Sequence, residues 1–161
     1  MRNIFIILLI ILINFSCKNN KEIDKENLEK ELTELPPPPK KIDENSLVGF
    51  ACYYSGRKSK PVENITELIE KKKFEELKKK IISNKPAEKF LATFACIKLL
   101  EKGIIKLNNN ELIQINENKL SDVEIYSCGG CTEAENYKLS KLLSEKTEFI
   151  SEVENWFNRI K

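Results

Sequence analysis

The stretch "PAEKFLATFACIKLLEKG", residues 86–103, decides the fold class of this chain. It opens with Pro86, a residue favoured in the first turn of a helix, and it ends at Gly103, a residue typical of helix ends. Residues 90–100 between them are apolar almost all round, whereas a helix at the surface keeps a polar face. The sequence therefore predicts a helix that lies at the centre of the folded domain.

Apolar residues recur at helical spacing on both sides of this stretch and predict further helices. Asn108 favours a helix start as an N-cap, and the pair Thr132 and Glu135 favours another as a capping box. The segment "DVEIYS", residues 122–127, predicts at most one short strand. We therefore expect an all-α fold of five or six short helices in a compact bundle. The residues at helical spacing are Val62, Ile65, Leu68, Ile69, Phe74, Leu77, Ile81, Leu112, Ile113, Ile115, Leu120, Leu142, Leu143, Phe149, Ile150, Val153, Trp156, Phe157 and Ile160.

The central stretch also contains the pattern Ala-x-x-x-Leu-Ala at residues 87–92 and closes with Leu-Leu-x-x-Gly at residues 99–103. These residues resemble one helix of a HEAT-type hairpin. The resemblance implies a HEAT-like stack of helical hairpins as the alternative to a bundle. No internal repeat of a fixed period accompanies it.

The composition argues against several classes of function. The 161 residues carry 27 basic and 25 acidic side chains, for a net charge of +2, and only three of the basic residues are Arg. Because Arg supplies the planar fork that reads bases and phosphates, we expect no nucleic-acid binding. His, the commonest general base and metal ligand, is absent. No phosphate-binding loop or nucleophile motif is present, so we expect no enzyme, cofactor, metal or small-molecule substrate.

The amino-terminal residues predict export. Arg2 is followed by ten apolar residues, Ile4–Ile13, which are too few to cross a membrane because a spanning helix needs about 20. A positive start, a short apolar core and then the small Ser16 make up an export signal. Cys17 comes next, and the chain turns polar immediately after it.

Ser16 and Cys17 resemble the end of a bacterial lipoprotein signal, although Asn14 and Phe15 depart from the pattern usual before it. The resemblance implies that Cys17 receives a diacylglycerol, becomes the mature N-terminus and anchors the chain to the membrane through acyl chains such as palmitate. Lys18, where an inner-membrane lipoprotein usually has Asp, implies the outer membrane. The alternative is an ordinary cleaved signal that leaves Cys17 as a spare thiol.

The sequence divides into a signal peptide at residues 1–16, a lipidated cysteine with a disordered tether at 17–47, and a helical domain at 48–161. Charged residues dominate the tether, and Pro36–Pro39 end any helix within it. The alternative interpretation is that these prolines form a proline-rich docking peptide. We expect the domain to bind an unknown protein partner at the cell envelope without catalysis.

Four cysteines remain in the exported domain, namely Cys52, Cys96, Cys128 and Cys131. An even number in an oxidising compartment predicts two disulfides. We favour Cys52–Cys96 and Cys128–Cys131, because the apolar setting of Cys96 predicts burial beneath the "GFACYYSG" loop. The alternatives are a zinc site with four thiolates, and Cys96 as a plain buried thiol.

The segment "EIYSCGGCTEAENYKL", residues 124–139, resembles a thioredoxin-type redox site, in which a strand leads through Cys-x-x-Cys into a helix. The resemblance implies a first thiol, Cys128, whose pKa is lowered by the helix start. No proline follows Pro86, although a thioredoxin fold has a cis-proline after its motif. An envelope thiol–disulfide module that uses Cys128 and Cys131 is therefore the alternative to the binding function.

Overall fold

The computed structural model describes residues 42–52, 56–130 and 134–160, which belong to a folded unit of residues 41–161. The predicted signal peptide, Cys17 and the tether up to residue 41 lie outside the described residues, as does Cys131. The folded structure takes in residues that the sequence assigned to the tether, because residues 44–46 form a 3-10 turn and Leu47 begins a strand.

The described residues form six helices and three strands, so the predicted all-α fold is confirmed only as a mostly helical one, and the expectation of at most one short strand is wrong. No helix in the described ranges is both long and apolar enough to cross a membrane. In chain order the elements are β1 (Leu47–Cys52), α1 (Lys60–Glu70), α2 (Phe74–Lys79), α3 (Pro86–Glu101), α4 (Asn109–Lys119), β2 (Glu124–Gly130), β3 (Glu135–Lys138), α5 (Leu139–Ser144) and α6 (Glu148–Arg159).

The central helix is the one that the sequence predicted. Along α3, Phe90, Leu91 and Ala95 are fully buried, and the helix contacts α1, α2, α4, α5 and the strands β1 and β2. It ends where Gly103 takes a φ of 69°, a left-handed conformation that favours glycine. Residues 90–96 are all buried between these elements, which explains why this part of the helix is apolar all round.

The three strands form one sheet in the order β1-β2-β3. β1 and β2 are parallel, and parallel neighbours need a long crossover connection. Here the crossover contains α1 to α4. β2 and β3 are antiparallel, with Ser127 paired with Glu135. The predicted strand segment at residues 122–127 thus overlaps β2, whereas the sequence analysis treated β1 as a loop.

Helix starts were predicted correctly at one position and wrongly at another. Asn108 caps α4, since its side chain accepts a hydrogen bond from the Glu111 N–H while the Glu111 carboxylate accepts one from the Asn108 N–H. The capping box at Thr132 and Glu135 is wrong, because Glu135 lies in β3, while Thr132 lies outside the described residues. The helix expected there begins at Leu139.

The apolar stripe predicted for α4 is also mostly wrong. Ile115 is buried, but the side chains of Leu112, Ile113 and Leu120 are exposed. The second buried residue of the helix is Asn118, which donates hydrogen bonds from Nδ2 to the Ile81 carbonyl at 3.0 Å and to Thr93 Oγ1 at 2.8 Å. A polar side chain thus anchors α4 to the core, which hydrophobic periodicity does not reveal.

A second buried polar group joins α1 to α3. The Glu88 carboxylate, 1% exposed, accepts hydrogen bonds from Asn64 Nδ2 at 3.1 Å and from Lys80 Nζ at 3.0 Å. Lys85 Nζ lies 3.7 Å away. Burial opposes the charged carboxylate, but these hydrogen bonds and lysine charges outweigh it and lower the pKa of Glu88. The group is therefore a structural link between helices.

Candidate functional site

A cleft of about 540 Å³ lies among β1, α1 and α6. The strand contributes Phe50 to its wall, and α6 contributes Trp156. The other lining residues are Ala51, Lys58, Thr66, Glu70, Cys128, Glu152, Asn155, Arg159 and Ile160. Its size and its mixture of apolar and charged residues are those of a binding cleft.

The aromatic part of the cleft wall is held in a fixed position. Trp156 Nε1 donates a hydrogen bond to Thr66 Oγ1 at 2.9 Å, and the same hydroxyl donates to the Val62 carbonyl at 2.6 Å. The indole ring packs against Phe50 with 5.7 Å between ring centroids. Trp156 is thereby fixed in place but is only 6% exposed, so the more accessible aromatic residue of the lining is the half-buried Phe50 beside it.

The charged residues of the cleft carry both signs. Lys58 and Arg159 are basic, and Glu70 and Glu152 are acidic, so the lining residues that the structure describes carry no net formal charge. A nucleic-acid site would have an excess of basic residues to neutralise phosphates. This lining instead matches a ligand that also carries both signs, as a polypeptide segment does.

Two cysteines meet where β1 lies beside β2. Cys52 Sγ donates a hydrogen bond to the Cys128 carbonyl over 3.8 Å. Both side chains are buried in one small cluster with Leu47, against which Ile42 and Tyr126 pack. Gly49 makes the approach possible, since a Cβ at this position would overlap Cys52 Sγ and would come within 3.1 Å of Cys128 Cβ.

The environment of Cys52 disfavours its thiolate. Burial raises the pKa of Cys52 to about 12, with a hydrogen bond to Cys128 and the charge interaction with Cys128 adding to the effect. Burial likewise raises the pKa of Cys96 to about 12. Neither thiol is therefore activated as a nucleophile at neutral pH.

Cys96 lies in a different part of the molecule from Cys52. It is fully buried on α3 as a member of the main core, whereas Cys52 belongs to the small cluster on the sheet. The pairing of Cys52 with Cys96, favoured by the sequence, is corrected on this point, because β1 brings Cys52 to Cys128 instead. The predicted burial of Cys96 is confirmed.

The Cys-Gly-Gly-Cys motif does not stand before a helix. Cys128 lies within β2, the chain continues into the antiparallel β3, and the next helix begins at Leu139. The first described helix after Cys128 therefore begins at Leu139, beyond β3, and not at the motif as in a thioredoxin-type site. Cys131 lies outside the described residues, so its pairing with Cys128 stays a prediction.

The zinc alternative also involves Cys131. Among the described residues, no three Cys, Asp or Glu side chains are placed to hold a metal ion. Cys96 lies in the main core, apart from Cys52 and Cys128 in the small cluster on the sheet. The three described cysteines therefore do not lie together, as a zinc site with four thiolates requires.

Only part of this site is predicted by the sequence. The sequence identifies all four cysteines, and it places Trp156, which is buried in the core, among the apolar residues at helical spacing. It did not assign Phe50, Thr66, Glu70 or Arg159 to any site, because they come together only through packing between elements. The chain was compared with protein-family models, curated proteins and solved structures, and none of them matches it.

Proposed function

We propose that this chain is a lipid-anchored protein of the cell envelope whose helix-rich domain binds a protein partner without catalysis. The anchor is the acylated Cys17, and the outer membrane is the proposed location. The domain, for which the sequence suggested a bundle or a HEAT-like stack, is held off the membrane by the charged, proline-containing tether. More than one acyl chain is needed for stable attachment, which the lipoprotein type of modification supplies.

The observation that carries the binding function is the cleft among β1, α1 and α6. Its aromatic wall is preorganised by the Trp156 to Thr66 hydrogen bond. Aromatic residues held in place are typical anchors at protein interfaces. The two basic and two acidic residues of the lining favour a polypeptide segment that presents an apolar side chain between charges of both signs.

Site-specific photocrosslinking in the native envelope tests the binding function. A photoreactive residue at Lys58, on the cleft, is expected to yield an adduct with one protein, and the same residue at the exposed Leu120, directly after α4, is not. Arg159→Glu in the cleft should abolish the adduct, while Lys119→Glu, an equal charge change outside the cleft, should preserve it. Adducts that are equal at both positions, or unaffected by Arg159→Glu, would contradict the proposal.

Radiolabelled fatty-acid incorporation tests the anchor separately. The wild-type chain should be labelled, Cys17→Ala should lose the label, and Cys128→Ala should retain it as a matched cysteine control. Label that persists in Cys17→Ala would rule out the acylated cysteine. Fractionation of the same cells should place the labelled chain in the outer membrane.

A further inference from the structure

Cys52 and Cys128 differ in their position relative to the cleft. Cys128 is part of the lining of the cleft, whereas Cys52 is not. Cys52 Sγ occupies the space above Gly49, against the Cys128 carbonyl. Both side chains are only 4% exposed, and of the two Cys128 is the one that borders the cleft.

We propose that Cys128 and Cys52 form a thiol–disulfide exchange pair, in which Cys128 reacts with a disulfide brought into the cleft and Cys52 resolves the product. The substrate is a protein disulfide carried on the polypeptide segment that the cleft binds. The exchange adds a chemical step to a domain proposed above to bind without catalysis; the identity of its substrate rests on that binding, but the chemistry of the pair does not. The pair differs from the Cys-Gly-Gly-Cys pair that the sequence suggested.

The exchange balances in two steps. In the first, the Cys128 thiolate attacks one sulfur of the substrate disulfide, so that a Cys128–substrate disulfide forms and the other substrate sulfur leaves as a thiolate that takes up a proton. In the second, Cys52 gives up its proton and attacks Cys128 Sγ, which releases the second substrate thiol. Two electrons and two protons pass to the substrate, and a Cys52–Cys128 disulfide remains.

The surroundings of Cys52 suit the resolving role. A buried thiol with a raised pKa reacts poorly with solutes, but it reacts readily with a sulfur held beside it, because proximity replaces a bimolecular encounter. The parallel pairing of β1 with β2 provides this proximity, since Gly49 pairs with Cys128 and Cys52 with Gly130. The missing side chain at Gly49 leaves the space in which the two sulfurs can approach.

Oxidised glutathione, a small disulfide that needs no protein partner, tests the pair in the full chain. The reduced protein is incubated with it, quenched with acid and mapped by peptide mass spectrometry. Wild type and Cys131→Ala should both give the Cys52–Cys128 peptide. In Cys52→Ala this peptide is lost and Cys128 accumulates the glutathione adduct. In Cys128→Ala, Cys52 should remain unmodified because it lies behind the cleft wall.

A Cys52–Cys131 or Cys128–Cys131 bridge as the main wild-type product would overturn the proposal, as would a glutathione adduct on Cys52 in Cys128→Ala. Cys96 reports on folding in every sample, because it is fully buried and reacts only if the chain unfolds. The wild-type map needs no variant and decides the pairing even if a variant unfolds. A Cys52–Cys128 peptide in this experiment, together with no crosslink at Lys58, would support the exchange pair and contradict only the binding function.

Discussion

Gly49→Ala should destabilise the domain through one identifiable contact. Gly49 does not have a positive φ, so alanine causes no backbone strain there. Its Cβ, however, would overlap Cys52 Sγ and come within 3.1 Å of both the Cys128 Cβ and the Cys128 carbonyl oxygen. Overpacking of this kind costs about 1–3 kcal/mol. At about 4 °C per kcal/mol for a domain of this size, Tm should fall by about 4–12 °C.

A double-mutant cycle with Cys52→Ala isolates the sulfur as the cause. The free energy of unfolding is measured for wild type, both single variants and the double variant by urea denaturation under reducing conditions. Because Cys52→Ala removes the overlapping atom, Gly49→Ala should cost less in that background, with a coupling energy of about 1–2 kcal/mol. The 3.1 Å contacts with Cys128 remain and account for the residual cost.

Gly103→Ala provides the matched control. A Cβ at Gly103 meets nothing within 4 Å, but its φ of 69° makes alanine unfavourable by about 1 kcal/mol. This cost has no connection with Cys52, so it should be the same with and without the Cys52 sulfur. If Gly49→Ala costs the same stability in wild type and in Cys52→Ala, the packing of Cys52 against Gly49 is refuted. The geometric argument for a Cys52–Cys128 pair would then fail.

Three further predictions concern buried polar groups, and urea denaturation checks each. Thr66→Val should cost about 1–3 kcal/mol because it removes the acceptor of the Trp156 N–H, whereas Thr66→Ser should cost less; equal costs would contradict this. Asn118→Ala should cost about 2 kcal/mol, unlike exposed Asn110→Ala, since it removes two buried donors. The lowered pKa of Glu88 contributes to stability above the ordinary value of 4.5, and this contribution disappears as pH falls through the lowered pKa. Glu88→Gln should therefore make the free energy of unfolding fall less steeply at acid pH. The same pH dependence in wild type and Glu88→Gln would contradict this.

The features that the sequence predicted are local ones. The burial of α3 follows from apolar residues all round one helix, and the start of α4 follows from Asn108 and Glu111 three residues apart. Both depend on side chains within a single helix. By contrast, the apolar residues of α4 were expected to be buried, yet Ile113 and Leu120 are exposed, because a stripe does not say what packs against it.

The strands β1 and β3 were missed because what stabilises each of them lies outside its own residues. β1, with the sequence "LVGFAC", contains Gly49, and a glycine ordinarily weakens a strand. Here the glycine is needed for the approach of Cys52 to Cys128, which the sequence alone does not disclose. β3 has four residues, of which Tyr137 is the only one even partly buried, so it shows no apolar alternation. Pairing with β2 defines both strands, over a long separation in sequence for β1 and with the neighbouring segment for β3, and neither strand carries an apolar alternation of its own that would predict it.

The proposed Cys52–Cys128 bridge bears directly on this non-local pairing. The two residues are 76 positions apart, and closing a loop of that length removes chain entropy from the unfolded state worth about 4–5 kcal/mol in the chain-entropy model. A gain of that size is a large part of the roughly 5–15 kcal/mol that stabilises a whole domain. The oxidised chain should therefore be more stable than the reduced chain against the unfolding that separates β1 from β2. Because Phe50 on β1 and Cys128 on β2 both line the cleft, the redox state of the pair and the stability of the binding surface against unfolding would change together.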